Sequence, residues 1–320
     1  IFTAFYAGKL TKTNTQVYAG IEKLVNVGRF GELKVADING DGNIDIFYTG
    51  RGNGNENVKE SGIMLGDGTG GFNVATVYPI MSGFRSVEIA DYNNDGLMDI
   101  FYIKNGLGNA EIHYQKPDGT FNKQSTSFNS INLDNNITTY SVDFNNDGYK
   151  DLVILAGWDN ANATRGCLFF KNNGDDTFTA ITMPNVKRKG FGSAAFADVD
   201  GDGWMDMILN GDGGADGEAA HDIVHLYKNN NGNFEPIAQF QPFRFTTLNG
   251  SVRFLDWDND GKLDILVAGY DTSNKGQSKL FQCTDAANFT FTDANLIGLP
   301  TIGSAFFDIS DLDNDGCSYI

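Results

Sequence analysis

Six copies of one nine-residue acidic loop recur along the chain, and their spacing restricts its fold more than any other feature. The loops run Asp37–Asp45, Asp91–Asp99, Asp143–Asp151, Asp198–Asp206, Asp256–Asp264 and Asp311–Tyr319. Their first aspartates stand 54, 52, 55, 58 and 55 residues apart. A period of this size marks a repeat architecture. The 320 residues are therefore read as a single repeat domain, 1–320, rather than as two ordinary ones.

The segments around each loop read as strands. Ser86–Ala90 and Ser251–Leu255 precede their loops as apolar, often alternating stretches, and Ile100–Ile103 and Ile265–Ala268 follow theirs as apolar runs. A third strand ends in a Gly/Asn turn and a fourth begins with Phe, as in Leu168 to Gly174 then Phe178, and Val224 to Gly232 then Phe234. With 39 glycines, 25 phenylalanines and no long 3.6-period stretch, almost no helix is expected. Four antiparallel strands per repeat, arranged radially, predict an all-β fold, a β-propeller whose closed ring protects its edges. Phe2–Gly8 reads as a second strand and Ser304–Phe307 as a first strand, so the two ends are expected to share a blade and close six blades. A longer native chain would carry seven.

The loops have the chemistry of a hard-cation site. Calcium takes six to eight oxygens at about 2.3–2.6 Å from carboxylates, amides, backbone carbonyls and water. Positions 1, 3, 5 and 9 supply side-chain oxygens: Asp37, Asn39, Asp41 and Asp45; Asp91, Asn93, Asp95 and Asp99; Asp143, Asn145, Asp147 and Asp151; Asp198, Asp200, Asp202 and Asp206; Asp256, Asp258, Asp260 and Asp264; and Asp311, Asp313 and Asp315. Glycine at position 6 permits the sharp turn that gathers them. Position 7 is Asn43, Leu97, Tyr149, Trp204, Lys262 or Cys317, an indifference that suits a carbonyl ligand. An EF-hand is excluded, because Tyr48, Tyr102, Ile154, Leu209 and Val267 stand where its bidentate Glu would be. Magnesium, which keeps its waters, fits less well. Twenty carboxylates occupy ligand positions, and without them the formal charge of −18 becomes +2. The acidity is thus that of metal sites rather than of a partner surface.

The D-x-[DN]-x-D-G-x-x-D loop between strands one and two, with Phe30-Gly31 and Phe191-Gly192 upstream, resembles the FG-GAP or VCBS repeats of integrin α-subunit propellers and related bacterial secreted proteins. The resemblance spans nearly the whole chain. It implies a calcium-binding propeller with five to six sites, the sixth departing from the pattern at Tyr319.

Extracellular calcium modules bind at about 10⁻⁴–10⁻³ M, so an extracellular or cell-surface location is expected. The chain opens at Ile1 without a charged-then-apolar leader, and an export signal is expected to have been cleaved or left out. No run of eighteen apolar residues occurs, so no membrane-spanning helix is expected. Cys167, Cys283 and Cys317 form no CxxC pair and read as small apolar residues.

Strand parity puts the calcium loops at one end of each blade and the longer, less repetitive segments at the other: Arg51–Ser61, Trp158–Arg165, Asp212–Asp222 and Tyr270–Gln277. Trp158 and Tyr270 each follow an Ala-Gly expected to end strand two, and with Asp159, Asn160, Asp271 and Asn274 suit sugar stacking. Lys187-Arg188-Lys189 suits an acidic ligand, and Arg51 and His221 are further candidate ligand-binding residues. His221 and His225 straddle a strand start about 13 Å apart, too far to share a metal.

A binding or adhesion module for a glycan or an extracellular protein is therefore the first functional reading, with no nucleic acid partner expected. The second is a polysaccharide lyase or hydrolase with His221, Lys187 or Tyr270 as base, and the third a structural subunit of a surface assembly.

Overall fold

The computed structural model describes residues 33–51, 59–69, 71–77, 84–104, 110–125, 137–156, 166–187, 192–211, 222–238, 240, 244–271, 275–296 and 299. Among them are five antiparallel sheets and no helix, and hence no helix able to cross a membrane. The first sheet contains β1 (Leu33–Ala36), β2 (Asp45–Arg51), β3 (Lys59–Gly66) and β4 (Phe72–Val77). The second contains β5 (Phe84–Ala90), β6 (Asp99–Lys104), β7 (Ala110–Gln115) and β8 (Phe121–Ser125), and the third β9 (Ile137–Val142), β10 (Asp151–Ala156), β11 (Gly166–Asn172) and β12 (Phe178–Ile181). In the fourth, β13 (Ala194–Ala197), β14 (Asp206–Leu209), β16 (His225–Asn230) and β17 (Asn233–Pro236) pair in that order. The fifth adds a short strand β15 (Asp222–Ile223) to β18 (Arg244–Leu255), β19 (Asp264–Asp271), β20 (Gly276–Asp285) and β21 (Thr290–Asp293). Every acidic loop described joins two neighbouring strands of its sheet, as the sequence pattern predicts.

Two compact units contain these sheets. One is 1–132 with 173–178, and the other is 133–172 with 179–320. In the first unit, Ile38, Phe47 and Ile63 pack with Val87, Ile100 and Tyr102 of the next sheet. In the second, the fourth sheet has two apolar faces. Met207 and Leu209 of β14 join Val153, Leu155 and Phe169 of the third sheet, whereas Ile208 between them joins Val252, Ile265 and Val267 of the fifth. That alternation is the period-2 geometry of a strand whose sheet is covered on both sides. It also explains why the central strands β7, β10 and β14 are buried along their whole length, while β21 at the edge alternates between exposed and half-buried residues.

Two expected boundaries move. Ala268-Gly269 does not end strand two of the fifth sheet: β19 continues to Asp271, and Tyr270 pairs with Thr246 and Gly276. The reason is that β18 is long enough to give this end of the strand a partner. Likewise Arg51 lies in β2 opposite Lys59, so the segment expected as an Arg51–Ser61 loop contains strand at both ends. The terminal strands expected at Phe2–Gly8 and Ser304–Phe307 lie outside the described residues.

Candidate metal centre

The first carboxylate of each loop organises the backbone around it. In the first loop, Asp37 Oδ1 accepts from the N–H groups of Gly40 and Asp41 at 2.8 and 3.0 Å, and Oδ2 from Gly42 at 2.8 Å. Asp91, Asp143, Asp198 and Asp256 accept in the same way from the fifth and sixth residues of their loops. The glycine at position 6 has φ between 82° and 90° in all five loops, a conformation open to glycine at little cost. Position 4 is also left-handed, at 57° to 75°, and is always Gly40, Asn94, Asn146, Gly201 or Asn259. The position-7 residues Asn43, Leu97, Tyr149, Trp204 and Lys262 donate their N–H to the position-5 carboxylate.

Position 9 has a second task that its spacing did not reveal. Asp45, Asp99, Asp151, Asp206 and Asp264 are fully buried. In each, Oδ2 accepts the N–H of the second loop residue, Ile38, Tyr92, Phe144, Val199 or Trp257. Oδ1 accepts from the third strand of the sheet, at Gly66, Gln115, Asn172, Asn229 or Cys283. The carboxylate therefore ties the loop to the sheet. Burial pushes Asp99 up to about 6 and Asp151 and Asp206 up to about 7, and neighbouring loop carboxylates add to the rise. A cation would relieve this.

Position 2 is the apolar plug of the loop. Ile38, Tyr92, Phe144 and Val199 are buried, whereas Trp257 is exposed. Phe144 meets Phe234 of the following sheet at 6.5 Å, and Val199 clusters with Phe289 and Phe291. The carbonyl of the plug is then stitched to the same neighbour: Gln115 Nε2 donates to Ile38 O at 3.0 Å, and Asn229 Nδ2 to Phe144 O at 2.8 Å. Asn229 also donates to Met205 O and accepts from Gly232 N. Replacing this buried amide by alanine is expected to cost about 3 kcal/mol, at about 1–3 kcal/mol for each buried polar group left unpaired. Urea unfolding of N229A measures it, and a loss below about 1 kcal/mol would remove the stitch from the account.

The donor set fits a hard cation. Oxygens of Asp198, Asp200 and Asp206 lie within 4.8 Å of one another, and so do those of Asp256, Asp258 and Asp260. The Asp200 side chain is only 7% exposed, and its Oδ1 is buried with no hydrogen-bond partner. A buried carboxylate oxygen in that state is costly unless something positive meets it. Lysines approach the same loops: Lys171 Nζ lies 3.0 Å from Asp147, Lys228 bonds Asp200 and Asp202, and Lys262 bonds Asp260. Gln282 donates to Asp258.

A succession of antiparallel sheets of four strands, the fifth extended by β15, each with an acidic loop between two neighbouring strands, defines a repeat protein. It belongs to the FG-GAP-like repeat family, whose model matches residues 37–102, 91–154, 143–209 and 200–267. No curated protein matches the chain significantly. Among solved structures it is similar to the Tc holotoxin pore of Photorhabdus luminescens, with 17% identity over 81% of this chain and 12% of that one, at a TM-score of 0.44. It is also similar to the V. cholerae biofilm matrix protein Bap1, with 17% identity over 87% of this chain and 41% of that one, at 0.41. A third is a protein from Lactobacillus plantarum, with 14% identity over 81% and 68%, at 0.44. The chain thus spans well under half the length of the first two.

The Gly of the upstream Phe-Gly pair has a packing reason at Gly192, where a Cβ would stand 1.8 Å from the Asn210 carbonyl oxygen. Of the residues read as ligand-binding, Tyr270 is a half-buried strand residue, and the N–H of half-buried Lys187 donates to the Tyr227 hydroxyl at 3.0 Å. His225 opens β16 with its ring 6.0 Å from that of Tyr227. Trp158, Arg188, His221, the side chain of Arg51, and the sixth loop with Asp311, Asp313, Asp315 and Cys317 lie outside the described residues. Cys167 is half-buried, Cys283 is buried, and both are free thiols.

Proposed function

We propose that this chain is a calcium-stabilised β-propeller, six blades closed by its terminal strands, that serves outside the cell or at its surface as a binding module for a glycan or a protein. The observation that carries the reading is the buried, unpartnered Asp200 Oδ1 beside Asp198 and Asp206. Side chains at loop positions 1, 3, 5 and 9, with the position-7 carbonyl, would hold the ion. Bound calcium supplies positive charge that offsets the crowded carboxylates and cross-links the turn. Affinities of extracellular calcium modules match external calcium, which supports the location.

Partner binding falls to the opposite ends of the sheets, where the connections are longest and least repetitive. Trp158, Tyr270, Arg51, Lys187, Arg188 and His221 are the proposed contacts there.

Equilibrium dialysis against calcium should give one ion per intact loop, and D200A should bind one fewer than wild type. Equal stoichiometry in the two proteins would contradict the assignment of that loop. Glycan-array binding in calcium supports the module reading; release of reducing ends from a polysaccharide would replace it by an enzyme.

A further inference from the structure

Near the end of the strand that holds the ninth-position carboxylate through a backbone N–H, one residue stands immediately before that N–H. In the five sheets that residue is Leu65, Tyr114, Lys171, Lys228 and Gln282. It is uncharged in the first two sheets. In the third, Lys171 reaches one loop carboxylate, Asp147. In the fourth, the Lys228 ammonium bonds Asp200, which clusters with Asp198 and Asp206, and lies 2.8 Å from Asp202 Oδ2, so it spans two carboxylates of the loop. Its nitrogen is 5.6 Å from the centroid of the Phe289 ring. The ammonium thus has an aromatic partner besides the carboxylates.

An ammonium and a divalent ion compete for the same oxygens, because each repels the other and the carboxylates have few free lone pairs. We propose that Lys228 is a tethered counter-ion of the fourth loop, which a divalent cation must displace to enter. This inference rests on the reading of the loops as calcium sites and adds that the sites are graded. The fourth loop binds calcium more weakly than the first two and is the one least disturbed when calcium is absent. The third loop, with a single lysine contact, lies between them.

Trp204 stands at position 7 of the fourth loop and gives the test a local reporter. In a W158F/W257F background it is the one remaining tryptophan, so terbium emission excited through it reads this loop. Terbium alone is titrated into that protein and into the same protein carrying K228M. The half-saturation concentration should fall about fivefold in K228M, the upper end of the scale expected when a partly exposed ion pair is removed from a competing site. Lys228→Gln, which keeps a polar end but removes the charge, should move it in the same direction. Saturable emission with an unchanged midpoint in both variants overturns the inference and leaves the calcium reading standing. Absence of emission from all the proteins overturns both.

Discussion

Chelating calcium is expected to lower the unfolding temperature of this protein by roughly 5–15 °C. At free calcium of one to ten times Kd, each filled loop adds about 0.4–1.4 kcal/mol by linkage. Several loops together then contribute a few kcal/mol, against a total stability of about 5–15 kcal/mol for an ordinary domain. In a chain of this size each kcal/mol moves the midpoint by about 1.5–2 °C. The empty state is also strained electrostatically, since Asp151 is raised by burial and by Asp147 and Asp143 beside it. Calorimetry in chelator and in millimolar calcium measures the shift, and magnesium should restore little of it. Identical midpoints in all three buffers would remove calcium from the proposed function.

A second large effect should come from the buried aspartate at position 9. Asp206 is fully buried, and its two oxygens accept from Val199 N at 3.0 Å and Asn229 N at 2.8 Å. In D206A both N–H groups lose their acceptor inside the fold. Each such loss costs about 1–3 kcal/mol, so a destabilisation of about 3 kcal/mol or more is expected. Because these bonds tie loop to sheet, the loss should persist in chelator, whereas that of D200A should shrink there. Denaturant unfolding of both variants with and without calcium separates the roles. If the cost of D206A vanished in chelator, position 9 would act through the ion alone.

These two aspartates show where the sequence was legible. Spacing and residue type placed Asp200 and Asp206 in one loop between two strands, which the register of β13 with β14 matches. Nothing in the spacing distinguished a carboxylate with an oxygen to spare from one whose oxygens are both engaged. Two signals were nevertheless there to be read. The apolar run at position 2 marks the buried plug, and Gly or Asn at position 4 marks the second left-handed turn. Asn172 and Asn229 look like turn residues in Lys-Asn-Asn, yet both are buried. The carbonyls to which their side-chain amides donate are 22 to 85 residues away, and one of those of Asn229, Phe144 O, belongs to another repeat.

Taken alone, the sequence determined the repeat, the strand order within each sheet and the loop chemistry. These depend on local alternation, turn residues and carboxylate spacing, all short-range properties. The tertiary structure decided which side chains meet: across sheets, the plug against the following phenylalanine and the amide on the plug's carbonyl, and within the fourth sheet, Lys228 over its loop. Such contacts join residues 26 to 85 positions apart, and their energy depends on burial and distance, which exist only once the sheets have packed.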